Sequence, residues 1–504
     1  MIYLGVDCGT QSLKVLAWSP EQGALAAASR PYDLIDGLPP GHKEQHPAWW
    51  IEALEACIAE LAGRVPLGEV RGIGVSGQQH GLVVLDERDQ VIRPAKLWND
   101  TSTQRECDDI VAACGGLEAY QREIGNSLPP GFTASKILWL KRHEPENYAR
   151  IRTMFLPHDY LNFYLTGEKT AEFGDASGTG YFKVREREWS QLVLRAIDPD
   201  RDLLSCLPRL QHPAQPAGTL RPELARKWGI PATAVVSSGG GDNMMGAIGS
   251  GNVSAGLMTV SLGTSGTLYS YAGAPVIDPE GEIAAFCDST GGWLPLGCTM
   301  NVTVATEMVR RQLLESDHAG LERAVQEVAP GCDGLILVPF LEGERMPPVP
   351  DGTGVFLGIR PATCTKAHLA RAAMEGVTFG LRYGLDRFRS LGPQPTELRL
   401  IGGGAKSKTW RQMVADIFRT PVVCPTNEEG PAFGAALQAY WADRGGEIAA
   451  ICDEFVALNP ETRHEPDPAT SDRYQEVYEV YDLAVRELRA GRIFPGHREL
   501  LGKL

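Results

Sequence analysis

The stretch GVDCGTQSLKVLAW, residues 5–18, places an apolar run, a lone acid, a Gly-Thr turn and a second alternating run in succession. Two readings fit it. A plain hairpin needs no function, because two apolar runs joined by a short glycine turn pair readily. An anion-holding hairpin uses the same residues: peptide N–H groups left over at a Gly/Thr/Ser turn donate to phosphate, and Asp7 just before them offers a ligand to an accompanying metal. The pattern returns half a chain away in LMTVSLGTSGTLYSYAG, residues 257–273, where Gly263-Thr264 stands in place of Gly9-Thr10. Either two hairpins look alike, or a domain has been duplicated and each half presents the same turn.

The length of 504 residues exceeds what one core usually supports, so two domains are expected. Strands and helices alternate with glycine-rich turns between them, the pattern of α/β layers. The junction is expected near GDNMMGAIGSGNVSAG, giving residues 1–248 and 249–504. The segment SDRYQEVYEVYDLAVRELRAG, 471–491, spaces Tyr474, Val477, Val480, Tyr481, Ala484, Val485 and Leu488 as one face of a docked helix.

A net charge of −15 argues against nucleic acid or an anionic membrane as partner, since phosphate backbones are bound through excess Lys and Arg. Any phosphate must be held locally. The eleven cysteines show no C-x-x-C and no zinc-like clustering, and read as reduced thiols of a cytoplasmic protein. The opening residues lack a signal-peptide pattern, and no uncharged run is long enough to span a bilayer.

Several motifs bear on chemistry. GIGVSG, 72–77, fits G-x-G-x-x-G, but Ile73 and Val75 alternate as a strand through the glycines, so the strand-to-helix context of a dinucleotide site is missing. No P-loop and no protein-kinase catalytic set is present. In VVSSGGGDNMMGAIG, 235–249, a strand runs into three glycines and then Asp242 and Asn243 at a helix start. Asp242 either caps that helix or, because the glycines admit a ligand close to the backbone, faces it as a base for a hydroxyl proton. LRLIGGGAKSKTWRQMVADIF, 398–418, reads as strand, glycine turn and helix, with room for a base or sugar at the turn. His42 and His46 lie in a proline-bounded loop with no acidic third ligand spaced to match, and Trp49 and Trp50 begin a helix and pack inward.

Taken together, these residues resemble the FGGY family of carbohydrate kinases. GFTASKILWLKRH, 131–143, fits its first signature through Gly131, Thr133, Lys136, Ile137, Trp139, Leu140 and His143. GVFLGIRPATCTKAHLARAAME, 354–375, fits the second through Gly354, Phe356, Gly358, His368, Leu369, Ala372, Met374 and Glu375. Within the family the xylulokinase branch is the most similar, through SGQQHG (76–81), KLWND (96–100), GGGDNMMGAIG (239–249), FLEGERMP (340–347) and GGGAKS (402–407). Glycerol kinases carry an arginine and a glutamate where this chain has Gln79 and His80. The commonest xylulokinase pattern carries methionine at Gln79 and threonine at Met346, so the identity of the sugar is open.

The resemblance implies two ribonuclease-H-like domains of the actin, hexokinase and Hsp70 superfold around a deep cleft. It implies ATP-dependent phosphorylation of a primary hydroxyl of a ketopentose, D-xylulose first, with ribulose, a deoxy-sugar or a pentitol as alternatives. Asp242 becomes the catalytic base, with Gln79, His80, Trp98 and Asn243 on the sugar. Asp7 positions Mg²⁺. Thr10, Gln11, Ser12 and Lys14 line the phosphate path, Gly263 and Thr264 meet the phosphates from the second domain, and Gly403, Gly404, Ala405 and Lys408 form the adenosine side. A carboxylate at its ordinary pKa near ~4 is a weak base, so Asp242 is expected mainly to aim the nucleophile. A homodimer follows from family likeness alone. Two other classes fit less well: a nucleotide-gated binding protein of the same superfold, and an oxidoreductase.

Overall fold

The computed structural model describes residues 1–503; Leu504, the last residue of the expected second half, lies outside them. The chain forms two compact units. The first comprises Met1–Ser254, Tyr271–Pro295 and Glu429–Val456; the second comprises Ala255–Ser270, Leu296–Glu428 and the chain from Ala457. The units are therefore interleaved rather than cut once at 248/249. Of the two later segments of the first unit, Glu429–Val456 covers one face of its sheet, while Tyr271–Pro295 packs through Ala285 and Cys287 on Ala176, Phe182 and Val184.

In the first unit, β1 (Ile2–Cys8), β2 (Ser12–Ser19) and β3 (Gly23–Pro31) form an antiparallel meander. The strand β4 (Val70–Gly77) lies parallel to β1 on its other side, and β5 (Val235–Val236) parallel to β4. In the second unit, β6 (Leu257–Leu262), β7 (Gly266–Ser270) and β8 (Leu296–Thr299) repeat the meander. Parallel to β6 runs β9 (Glu397–Ile401), and parallel to β9 runs β10 (Val422–Pro425). Each unit thus carries the order 3-2-1-4-5 counted from its own first strand. The two similar hairpins of the sequence are the same hairpin of a twice-used topology.

Alternation along β1 sorts its side chains between two faces. Ile2, Leu4, Val6 and Cys8 join Trp50, Leu54 and Ile58 of the helix Pro47–Leu61 in one core. Tyr3, with Leu16 and Trp18 of β2, joins Phe433, Ala436 and Met245 in the other. Trp50 is fully buried; Trp49 is half-buried, so only one of the expected pair packs inward.

The second face is covered by the helix Gly430–Arg444, here called the spanning helix. It comes closer than side chains allow. A Cβ added at Gly5 would sit 1.7 Å from the Ala432 carbonyl oxygen, and one at Gly74 would sit 2.0 Å from that of Ala435. The helix Asp242–Gly249 crosses the same helix just as tightly, Gly434 against the Met245 carbonyl and Gly249 against that of Gly430.

In the tail, the helix Pro468–Ala490 buries Ser471, Tyr474, Tyr478, Tyr481 and Val485. Val480, expected on that face, is 50% exposed, and Tyr478 takes the inward position one turn after Tyr474. Tyr474 does more than pack: its hydroxyl donates to Glu375 (3.0 Å) and accepts from Arg371 (2.8 Å). Among the described residues no helix is long and apolar enough to cross a membrane.

Gly5→Ala should lower unfolding stability by more than about 3 kcal/mol, the upper range of overpacking, because backbone must move. Gly273→Ala, with nothing within 4 Å of the added carbon, should change it by under about 0.5 kcal/mol. Equal denaturant midpoints for the two variants would contradict the close contact.

Candidate active site

The first unit's hairpin turn is held by its carbonyls. Gly9 O accepts from the Tyr32 hydroxyl (2.7 Å), Thr10 O from Gln45 Nε2 (2.7 Å), Gln11 O from Tyr32 N (3.0 Å) and Ser12 O from Gly9 N (3.0 Å). No acceptor among the described residues meets the N–H of Thr10 or Gln11. The turn therefore offers donors and withholds acceptors, the requirement for holding an anion. The Thr10 hydroxyl accepts from Trp98 Nε1 (2.9 Å) and donates to Gln78 Oε1 (3.2 Å). Gln11 is exposed, and Ser12 and Lys14 are half-buried.

Asp7 lies two residues past Gly5 on the same face of β1. Ser76, two past Gly74 on β4, donates to its Oδ1 at 2.9 Å. Burial raises the Asp7 carboxyl to about 6, against the Ser76 hydrogen bond and the Lys14 charge, with Glu429 adding to the rise. Lys14 and Glu429 form an ion pair at the start of the spanning helix. A carboxylate kept short of neutralising charge in this way suits a divalent cation, which supplies what is missing.

Asp242 is the first residue of its helix, following Gly240–Gly241, which pair in parallel with Ser76–Gly77. Its Oδ1 accepts from the backbone N–H (2.8 Å) and Nδ2 (3.1 Å) of Asn243, whose Nδ2 also meets Gln79 Oε1 at 3.0 Å. Gln79 fits because position 241 is glycine: a Cβ there would fall 2.7 Å from Gln79 Cγ. Its Nε2 is buried with no hydrogen-bond partner among the described residues. Burial, then the charges of Asp7 and Asp175, lift Asp242 to about 7. The expectation of an ordinary weak base is corrected accordingly.

His80 adopts a left-handed backbone conformation, φ 66°. Its carbonyl accepts from Lys136 Nζ (2.6 Å) and Thr133 Oγ1 (3.1 Å), its Nδ1 meets Gly178 O at 2.9 Å, and its ring packs on Phe132. Of these holding groups, Phe132, Thr133 and Lys136 come from the first signature motif, a role sequence reasoning missed. The Lys136 ammonium is fully buried, which lowers its pKa to about 7.

The second unit repeats the turn. Gly263 O and Thr264 O accept from the N–H groups of Thr303 (2.9 Å) and Val302 (3.1 Å), while the N–H groups of Thr264 and Ser265 have no acceptor among the described residues. Gly402 and Gly404 abut it: added Cβ atoms would lie 2.9 Å from the Leu262 carbonyl and 2.8 Å from Leu262 Cβ. Arg411 holds the carbonyls of Ala405 (2.9 Å) and Lys406 (3.1 Å). Gly403 has nothing within 4 Å of an added Cβ. Lys408 lines a cavity with Arg371, Gln412, Asp416 and His464. The second signature motif is structural: Thr365 caps its helix through the N–H of His368, and Glu375 ties Arg371, Tyr474 and the Gly331 N–H together.

His42 does come near acids, but not through His46. His42, Glu44 and Asp100 present ligand atoms within 4.8 Å of one another. The ammonium of Lys96 already occupies the place, 3.2 Å from His42 Nδ1, 3.3 Å from Glu44 and 2.9 Å from Asp100.

A model of the FGGY family of carbohydrate kinases, N-terminal domain, matches residues 2–249, and the family's C-terminal domain matches residues 258–442. A xylulose kinase of Haemophilus influenzae is 43% identical over 487 residues, 95% of this chain and 98% of that protein. One of Escherichia coli is 35% identical over 494 residues, 97% of this chain and 99% of that protein. The crystal structure of a xyloylose kinase from Brucella ovis is similar at a TM-score of 0.91 and 34% identity, covering 97% of this chain and all of that one.

With a folded-state pKa of about 7 against an ordinary 3.8, Asp242 weakens the fold where it must ionise. From pH about 4 to about 7 the unfolded chain sheds this proton and the folded chain keeps it, so stability drops with rising pH; above that the two run level. Asp242→Asn should therefore gain stability over the parent across that window and hold the gain above it, by urea denaturation. A variant less stable at pH 8 would refute the assignment.

Proposed function

Because the chain belongs to the FGGY family of carbohydrate kinases, we propose that it transfers the terminal phosphoryl group of ATP to O5 of a ketopentose, D-xylulose in the first instance, giving D-xylulose 5-phosphate. The observation that carries the reading is Asp242: a carboxyl raised to about 7, at the end of a glycine loop, in the same unit as a turn that presents only donors. The substrate hydroxyl donates to Asp242, is thereby aimed at phosphorus, and gives up its proton as the new P–O bond forms and the bond to the ADP oxygen breaks. A base with a pKa near the working pH combines availability with proton affinity. In a loose transition state the aim matters more than early proton removal.

Asn243 holds Asp242 in its rotamer and, with Gln79, His80 and Trp98, contacts the sugar. The unpaired Nε2 of Gln79 calls for an acceptor oxygen on the substrate, since leaving a buried donor unmet costs about 1–3 kcal/mol. Thr10, Gln11, Ser12 and Lys14 serve the phosphates from the first unit. In the second unit, Gly263, Thr264, Gly403, Gly404 and Ala405 are the residues proposed for the nucleotide. Asp7 would hold Mg²⁺, which supplies positive charge to the phosphate oxygens.

Asp242→Asn should abolish sugar phosphorylation in a coupled ADP-release assay while ATP binding persists by calorimetry; turnover near the parental rate would sink the proposal. A panel of ketopentoses, deoxy-sugars and pentitols run beside it should place D-xylulose first in kcat/KM, and preference for another member would reassign the substrate.

Asp7→Asn should raise the Mg²⁺ concentration for half-maximal rate by about tenfold or more. An unchanged Mg²⁺ dependence would remove Asp7 from that role.

A further inference from the structure

Asp242 owes its place to the loop Ser237–Gly241, and that loop is gripped by one side chain from a distant part of the sequence. Gln438 lies on the spanning helix, fully buried. Its Oε1 accepts from the N–H of Gly239 (2.8 Å) and from Ser237 Oγ (2.7 Å). Its Nε2 donates to the Gly239 carbonyl (3.1 Å) and to that of Ser289 (3.3 Å). A primary amide offers two acceptor and two donor positions, and all four are used.

The grip falls where the backbone is least ordinary. Gly239 has φ +71°, and a Cβ there would strike Val75 O at 2.7 Å and His158 Cδ2 at 2.9 Å. Asn162 Nδ2 holds the neighbouring Ser238 carbonyl at 2.7 Å. Three residues after the held peptide the chain delivers Asp242.

The geometry points to Gln438 as a positioning residue: by fixing both polar groups of Gly239 it sets where the Asp242 carboxylate stands relative to the substrate hydroxyl. The inference rests on the reading of Asp242 as the residue that aims that hydroxyl, so it is tested in an enzyme already shown to turn over D-xylulose and to lose turnover as Asp242→Asn.

Two variants separate positioning from packing. Gln438→Met keeps the volume and removes all four hydrogen bonds. Gln438→Glu keeps a donor and an acceptor only while protonated; ionised, it opposes the carbonyls of Gly239 and Ser289. Burial raises such an acid well above its ordinary pKa. The charged groups flanking this loop, His158, Asp159, Asp175, Glu172 and Asp242, are common to parent and variant, so the quantity read is the variant-to-parent ratio of kcat at each pH.

Gln438→Met should lose about 10- to 100-fold in kcat, the cost of a misplaced catalytic group, with KM for ATP within about twofold. Gln438→Glu should approach the parent near pH 6 and fall away as pH rises. An unchanged kcat in folded Gln438→Met, a Gln438→Glu ratio flat with pH, or failure of both variants to fold would overturn the assignment, the last by showing a role in stability alone.

Discussion

The first unit depends on one contact: the backbone of a helix lying directly on the backbone of two strands. At Gly5 and Gly74 nothing separates the spanning helix from β1 and β4. The site's geometry follows from this. Two residues along the same faces stand Asp7 and Ser76, which bond to each other at 2.9 Å. At the N-terminal end of the helix Glu429 pairs with Lys14. Along its length Gly434 seats the helix that begins with Asp242, and Gln438 holds the loop that leads there. A side chain at any of these glycines would push apart groups that chemistry needs close together.

Electrostatics in this unit run toward unmet negative charge. Asp242 feels the charge of Asp7, and Asp175 adds to it. Beneath the glycine loop, His158 stands between Asp175 (2.6 Å) and Asp159 (3.1 Å); burial opposes its charge, but these carboxylates prevail and lift it to about 9. Groups that raise one another's proton affinity are costly to assemble, and such assemblies concentrate where a charged ligand later compensates them. The contrast is the cluster at His42, Glu44 and Asp100, where Lys96 supplies the cation from within the chain.

Much of this was legible in the residues. The repeated Gly-Thr hairpin gave away a twofold topology because a short turn between apolar runs has few alternatives. Three glycines before Asp242 signalled a loop that something approaches closely. What escaped reading depends on long-range partners. Asp242 looked like an ordinary carboxylate because its pKa is set by burial and by Asp7, which is distant in sequence. Gln438 takes its role from Ser237, Gly239 and Ser289, all far from it in sequence. Val480 was placed inward by a spacing that Tyr478 satisfies instead. The single cut at 248/249 followed the repeat and missed the return of Glu429–Val456 to the first unit.

That return has a consequence for biogenesis. The segment covering Tyr3, Leu16 and Trp18 is translated only after Leu296–Glu428 has been made. Until then Tyr3, Leu16 and Trp18 of the nascent sheet stay uncovered, the kind of surface that recruits holding chaperones or self-associates. Truncated transcripts stopping short of residue 429 would make a polypeptide whose early half is complete in strands yet unable to shut its own interior.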